Sequence, residues 1–241
     1  MKKTLNQIIV EFMDFLGIKY CFGVPGSNMS LLDEINKSKK IKLILSKHEE
    51  GAGFMASGYT KSTGIPCSCF GSVGPGATNL VTSVAAAYYD SQPVLVLSGQ
   101  VGNSLKGKTS FQESTGIGRT ISQLKVFKEI TSYAEIINSD NFVEDILKKS
   151  YSNLNSERPG PVYLEIPTDM MEQEIEISPG FFNKLKKEKN VKDKLHLNKI
   201  KKTISILQKS KRPAILIGEG AINNKKEIID LIKKLKIPVL T

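Results

Sequence analysis

The sequence has no tryptophan, two histidines and three cysteines in 241 residues, and each shortage removes a class of protein. Cys67 and Cys69 are one residue apart, closer than the Cys-x-x-Cys spacing of zinc and redox sites, and Cys21 stands alone. That set builds neither a disulfide framework nor a zinc finger. The three are expected to be reduced core residues of a cytoplasmic protein. Long apolar runs are also missing: Pro93–Leu97 stops at Ser98-Gly99, far short of the roughly 18–20 residues of a membrane span. The N-terminal lysines are followed by Asn6, Gln7, Glu11 and Asp14 rather than by the apolar stretch of a signal peptide. Nineteen Gly and ten Pro are too few for a collagen-like or low-complexity chain.

What is present is an ordinary globular composition, 40% apolar and 24% charged, with a formal net charge of +10. The charge is unevenly placed. Residues 1–180 hold 17 Lys and Arg against 19 Asp and Glu, while residues 181–241 hold 17 against 5. In that second stretch lysines alternate with bulky aliphatics, as in Lys184-Leu-Lys-Lys-Glu-Lys189. No aromatic residues are interleaved to stack bases, so the lysines read as solvated faces, and neither nucleic acid nor membrane is an expected partner.

Hydrophobic periodicity gives alternating helices and strands. Thr4–Leu16 is apolar at 5, 8, 9, 12, 13 and 16, with Thr4 and Gln7 at capping-box spacing and Gly17 at its end. Tyr20–Val24 is a short buried strand, after which Ser27 or Asn28 can cap a helix through Leu31, Leu32 and Ile35. Strand Ile41–Leu45, helix Glu49–Ser62, strand Pro66–Phe70, helix Ala77–Tyr89, strand Pro93–Ser98, helix Asn141–Asn153 and strand Val162–Ile166 follow. Near-continuous apolar strands between helices predict an α/β fold, a doubly wound parallel sheet with helices on both faces. Such sheets carry their sites at the carboxyl ends of strands. The Gly-rich turns 23–26, 71–76 and 99–107 all follow strands and are expected to share one rim.

The predicted organisation is a domain over residues 1–170, a linker over 171–195 and a second α/β unit over 196–241. That unit would contain helix Asn198–Gln208, strand Pro213–Ile217, helix Lys225–Leu235 and strand Ile237–Leu240. About 45 residues with two strands cannot cover both faces of a sheet, so the sequence is expected to end inside an incomplete central domain.

Two segments carry candidate chemistry. His48-Glu49-Glu50 sits where a strand passes into a helix, where acids favour the helix dipole; the residues alone leave open whether Glu49 merely stabilises the helix or is catalytic. His48 is either structural or a ligand, and nothing nearby completes a metal set. Gly71-Ser-Val-Gly-Pro-Gly76 lets backbone approach a ligand closely. It lacks the Gly-Lys-Ser/Thr of a phosphate loop and the GxGxxG spacing of dinucleotide sites.

Taken in order, Phe22-Gly-Val-Pro-Gly26, His48-Glu-Glu-Gly-Ala-Gly53, Gly74-Pro-Gly-Ala-Thr-Asn79, Asp90-Ser-Gln-Pro-Val94, Ser98-Gly-Gln-Val101, Phe111-Gln-Glu113 and Arg158-Pro-Gly-Pro-Val162 resemble the pyrimidine-binding domain of acetolactate synthase and related thiamine-diphosphate enzymes. The resemblance covers about residues 3–170, and Pro213–Thr241 is similar to the opening of the family's central domain. It implies a 2-oxo acid decarboxylase or carboligase, of the kind used in branched-chain amino acid biosynthesis. Glu49 would hydrogen-bond N1′ of the aminopyrimidine, favouring the imino tautomer that deprotonates C2 of the thiazolium; the resulting ylid adds to a 2-oxo acid. Phe54 and Met55 would supply an apolar surrounding for Glu49. Val24, Pro25, Gly26, Pro75 and Asn79 would line the cofactor, Phe111 and Gln112 would lie beside cofactor and substrate across a subunit interface, and Arg158 would contact FAD. Gln112 joins Glu49 as a catalytic candidate.

Departures from the acetolactate synthase pattern are Val24 for Tyr, Ser27-Asn28 for Gly-Ala, Thr168 for Lys and about three extra residues between Glu113 and Lys128. They leave pyruvate–pyruvate condensation open and admit another 2-oxo acid or aldehyde. The family's Gly-Asp-Gly and Asn, which hold Mg2+ and the diphosphate, have no counterpart in the sequence. The expectation is a chain inert alone and completed by a diphosphate-binding chain or a full-length homologue, in a dimer or tetramer. The alternative is a non-catalytic assembly module; a weaker one is a nucleotide-binding domain built on the Gly71 turn.

Overall fold

A computed structural model describes residues 2–188 and 196–241. The chain divides into two units, Met1–Lys189 and Asn190–Thr241. In the first, the order is β1 (Lys3–Thr4), α1 (Leu5–Phe15), β2 (Tyr20–Gly23), α2 (Met29–Ser38), β3 (Lys42–Leu45), α3 (Glu49–Thr63), β4 (Cys67–Gly71), α4 (Pro75–Thr78), α5 (Val81–Tyr89), β5 (Val94–Gln100), α6 (Gln123–Glu129), β6 (Tyr133–Ile136), α7 (Val143–Leu154), β7 (Val162–Pro167), β8 (Glu174–Ile175) and α8 (Phe181–Glu188). Six strands form one sheet in the order β3-β2-β4-β5-β7-β6, every neighbouring pair parallel.

Strand side chains alternate between faces, and here both faces are apolar. Cys21, Phe70, Leu95, Leu97, Leu164 and Ile166 join the cluster under α1, α2 and α7. Phe22, Cys69, Val94, Val96 and Tyr163 join the one under α3, α5 and α6. This is the doubly wound α/β fold anticipated from the apolar strands. Burial pushes the thiols of Cys21 and Cys67 up to about 12 and that of Cys69 well above its ordinary value, so all three are packing groups rather than nucleophiles. No helix among the described residues is long and apolar enough to cross a membrane.

Local signals read correctly include the capping box. Thr4 Oγ1 accepts from Gln7 N at 3.3 Å and Gln7 Oε1 from Thr4 N at 3.1 Å. Gly64 ends α3 in the left-handed conformation, φ 71°. Three differences have physical causes. The helix expected over 77–89 starts two residues earlier, at Pro75, whose fixed φ suits a first helical position, and is broken at Asn79–Leu80 into α4 and α5. Between 99 and 141, where no element was expected, lie α6 and the edge strand β6; α6 has only seven residues, too few for a clear helical period. The third difference concerns residues 171–195. Their described part, 171–188, packs onto the first unit instead of linking: β8 pairs antiparallel with β1, and Met171, Ile175, Phe181 and Leu185 are buried in the α1 cluster. Residues 189–195 lie outside the described residues. The Glu and Lys residues at 172–186 mark the outer face of this segment and masked its apolar inner one.

The second unit contains α9 (Leu197–Lys209), β9 (Ile215–Leu216), α10 (Lys225–Leu235) and β10 (Val239–Leu240), with β9 and β10 parallel, in the order the sequence suggested.

Leu185 is 2% exposed, so Leu185→Ala is expected to cost about 2–5 kcal/mol in urea unfolding. A change within about 0.5 kcal/mol, as for surface positions, would mean that this helix does not belong to the core.

Candidate functional site

Register brings Gly23 beside Phe70, Gly71 beside Ser98 and Ser98 beside Glu165, so the turns after β2, β4 and β5 open on one edge, as expected. They touch there. A Cβ on Gly26 would stand 2.4 Å from Ser72 Oγ, and one on Gly99 would stand 2.7 Å from Ser27 Oγ. Ser27 N donates to Ser72 Oγ at 3.2 Å, and Val73 N donates to Ser27 Oγ at 3.3 Å. Asn28 occupies the N-cap position of α2 without a side-chain cap bond; its amide reaches across to the Gly71 carbonyl at 3.4 Å instead.

Glu49 is the first residue of α3. His48 precedes it as N-cap, its Nδ1 accepting from Glu50 N at 3.2 Å, which is the structural role left open for this histidine. Glu49 as a residue is 7% exposed. Asn79 Nδ2 donates to its Oε2 at 3.0 Å, and a Cβ on Gly76 would stand 3.1 Å from its Oε1. The carboxylate therefore lies against the turn that follows β4, and among the described residues it makes no ion pair. Phe54 and Met55 do not shelter it. They are 46% and 40% exposed because α3 turns them outward, while Ala52 and Ala56 are buried in the core and Gly53 lies against Ser83 of α5. The carboxylate lies instead beside Gly76 and Asn79.

Gly74 has φ 64°, a conformation L side chains avoid. A Cβ there would also meet the Gln112 carbonyl at 2.7 Å. Gln112 is itself at φ 60° and half-buried, whereas Phe111 is 87% exposed. Val24 is half-buried, and Pro25 and Pro75 are exposed, on the turns after β2 and β4. Of the expected site residues, the structure thus gathers Val24, Pro25, Gly26, Glu49, Pro75, Asn79 and Gln112 on the turns of one rim, with Phe111 at its outer tip. Among the described residues no group of three His, Cys, Asp or Glu could hold a metal ion.

Comparison with known proteins bears on this arrangement. Residues 3–119 match the family described as thiamine pyrophosphate enzyme, N-terminal TPP binding domain. Residues 3–119 thus form an N-terminal domain of the thiamine pyrophosphate enzyme type. It is similar to the acetolactate synthase isozyme 1 large subunit of Escherichia coli K12, 33% identical over 238 residues that make up 98% of this chain and 40% of the relative. Similarity extends to a probable acetolactate synthase large subunit of Methanocaldococcus jannaschii, 33% identical over 98% of this chain and 39% of the relative. An acetolactate synthase of Mycobacterium leprae is 32% identical over 99% of this chain and 37% of the relative. The chain spans about two fifths of the length of these curated relatives.

Arg158 is not gathered with the rest of this thiamine pyrophosphate enzyme domain's rim. It precedes β7 and its Nε donates to Ser91 Oγ at 3.2 Å, and Ser91 precedes β5. In a parallel sheet that places both at the opposite edge from the Gly-rich turns.

Sequence reasoning also missed the polar groups beneath the rim. Gln123, fully buried, accepts from Gly74 N at 3.1 Å through Oε1 and donates through Nε2 to the Gly99 carbonyl at 2.8 Å and to Ser98 Oγ at 3.3 Å. Ser98 Oγ meets Tyr163 OH, which donates to Glu165 Oε2 at 3.2 Å, and Gln100 Nε2 donates to Glu165 Oε1 at 2.9 Å. The Tyr163 ring lies flat on Phe127 with centroids 3.9 Å apart. The Ser98-Gly-Gln-Val101 motif contained part of this chain of bonds; Gln123 carried no signal because α6 itself was invisible. Burial raises the Glu165 carboxyl above its ordinary value, outweighing the hydrogen bonds from Gln100, Gln123 and Tyr163 that favour the charged form. Burial, and then the Glu165 charge, push the Tyr163 hydroxyl well up.

A carboxyl whose proton is held more tightly in the folded state stabilises the fold fully below the unfolded value, about 4.3 for Glu, and loses that contribution as pH rises through the raised value. Glu165→Gln removes the titration, so the stability of the variant minus that of the wild type should increase as pH rises from about 4 toward neutrality. Paired urea unfolding curves across that range measure it; a flat difference would show that Glu165 titrates as it does in the unfolded chain.

Proposed function

We propose that the rim holds the aminopyrimidine half of thiamine diphosphate, in a 2-oxo acid decarboxylase or carboligase of the acetolactate synthase kind. The observation that carries this reading is the Glu49 carboxylate: buried, held at Oε2 by Asn79, and at Oε1 accepting no hydrogen bond among the described residues while facing the side-chain-free surface of Gly76. A carboxylate so placed fits a ring nitrogen that must be hydrogen-bonded and exchange a proton. When bound, the cofactor supplies the carbanion that attacks the 2-oxo acid and the electron sink for the loss of CO2.

The residues of the chain handle the proton and the orientation. Glu49 Oε1 holds a proton at the pyrimidine N1′ position. The Asn79 amide fixes the rotation of the carboxylate, so Oε1 rather than Oε2 is presented. The sharp turn at Gly74, pinned by Gln123, keeps Gly76 bare of side-chain atoms where Glu49 lies. Val24, Pro25 and Gly26 line the same rim from β2, and Phe111 and Gln112 approach it from the loop before α6, beside the substrate. Diphosphate and Mg2+ are assigned to residues other than those of positions 1–241, on a diphosphate-binding chain or a homologue assembled with this one as a dimer or tetramer. An FAD contact at Arg158 belongs to a separate locus on the opposite sheet edge and takes no part in proton handling. Ser27, tied to Ser72 and close to Gly99, lies on this rim at one of the departures from the acetolactate synthase pattern, and the reading admits a 2-oxo acid or aldehyde other than pyruvate.

The test is hydrogen–deuterium exchange at C2 of thiamine diphosphate, followed by NMR, with Mg2+ and a polypeptide carrying the Gly-Asp-Gly diphosphate site mixed with this chain. Glu49→Gln is expected to slow exchange by at least about 100-fold, the scale of a positioned acid–base group, without shifting the melting temperature. Retained exchange would overturn the assignment. Exchange in the partner that is unchanged or lower on mixing would mark the chain as an assembly module instead.

A further inference from the structure

The loop between β5 and α6, residues 101–122, contains only a 3-10 turn at Asn103–Leu105 and a single bridge between Thr115 and Ser122. Irregular loops of this length are uncommon in compact domains and costly to order. One side chain closes it. Glu113 is 8% exposed. Its Oε1 accepts from Gly107 N and from Thr115 Oγ1, the latter at 2.7 Å; its Oε2 accepts from Ser110 N at 3.2 Å; and its own N–H donates to the Ser110 carbonyl at 3.0 Å. These bonds, first the one from Gly107, hold the carboxyl below its ordinary value. They bracket Phe111 and Gln112 from both sides.

The bracketed residues are held in a conformation they would not choose. Thr109 and Gln112 have φ 54° and 60°, in the left-handed region that side chains disfavour. The Gln112 carbonyl is pressed on Gly74 and accepts from Ser114 Oγ at 3.0 Å. Gly74 begins the turn that reaches Glu49 through Gly76. The partners of the Glu113 side chain, Gly107, Ser110 and Thr115, all lie in the loop itself, so its bonds organise the loop.

We infer that Glu113 is a positioning residue whose carboxylate ties 107–115 together and thereby sets Gln112 on the Gly74 turn beside the pyrimidine site. This rests on the thiamine diphosphate reading for its ligand, but the clamp itself does not. Without the carboxylate, Gln112 relaxes to an ordinary backbone conformation, and binding must then order the loop as well as engage the ligand.

Two measurements test it. In the full chain, Glu113→Ala should speed tryptic cleavage after Lys106, Lys108 and Arg119 by at least about tenfold, while the melting temperature of the core stays within about 2 °C. Glu113→Gln, which keeps acceptor oxygen but loses one of the two, should fall between Ala and wild type. In the assembly with the diphosphate-binding polypeptide, thiamine diphosphate and Mg2+, Glu113→Ala should weaken cofactor binding about tenfold in the wild-type background. It should have little further effect when Gln112 is already Ala, because the two act as one unit. Unchanged cleavage in both variants overturns the clamp. Additive losses in the double variant overturn the positioning of Gln112, as does loss of the cooperative core transition in both Ala and Gln variants, which would make Glu113 a general structural residue. Failure of the unsubstituted assembly to bind thiamine diphosphate would sink the functional reading, and with it the ligand named here, leaving the cleavage result to decide the clamp.

Discussion

The parallel pairing of β2, β4 and β5 is the constraint from which the site follows. Parallel strands return through helices on the sheet faces, so all their exits stand at one edge, and three consecutive exits crowd into the same few ångströms. Only glycine fits where those turns touch: Gly26 against Ser72, Gly71 against the Gly76 carbonyl, Gly74 against Gln112. The glycines do not supply flexibility here. They bring backbone and the Glu49 carboxylate together without intervening side chains, and hydroxyl and amide groups from Ser27, Ser72 and Gln123 then lock the turns in place.

Much of the sheet was legible because a strand covered on both faces must be apolar at every position, and runs such as Val94–Leu97 admit few other readings. The rim was legible for a related reason, since Gly-rich turns after strands have few uses. What escaped notice was short or two-faced. Helix α6 is too brief to show a period, and β6 has only four residues, Tyr133–Ile136. In 171–186 exposed lysines and glutamates interleave with the apolar residues that dock and hide their pattern. The surroundings of Glu49 were misjudged because Phe54 and Met55, five and six positions on, lie about 140° and 120° round the helix from it and face outward, and it is Asn79, thirty positions on, that meets the carboxylate. Arg158 illustrates the same limit, because a motif fixes a residue's place along the chain but the strand's direction decides which edge it occupies.

Polar burial beneath the rim completes the picture. Ser98, Gln100, Gln123, Tyr163 and Glu165 lie within the sheet and its cover, each 2% exposed or less, and their bonds run continuously from Gly74 to Glu165. A buried polar network is tolerable only when its members satisfy one another, and here the partners are mutual: each amide both gives and receives. This explains how a carboxylic acid can sit on the interior strand β7 beneath the rim that carries Glu49, although the two acids are 116 residues apart in the chain. It also ties the geometry of that turn to the strands rather than to the loops.

The pairing of β1 with β8, and the packing of Phe182 against Phe12 and Phe15 with ring centroids 6.3 and 5.3 Å apart, join the beginning of the first unit to its end. The apolar stripe of α1 is thus covered from two directions, by α2 close to it in sequence and by residues 171–185 from the far end of the unit, so removing the latter would bare the Phe12 and Phe15 rings.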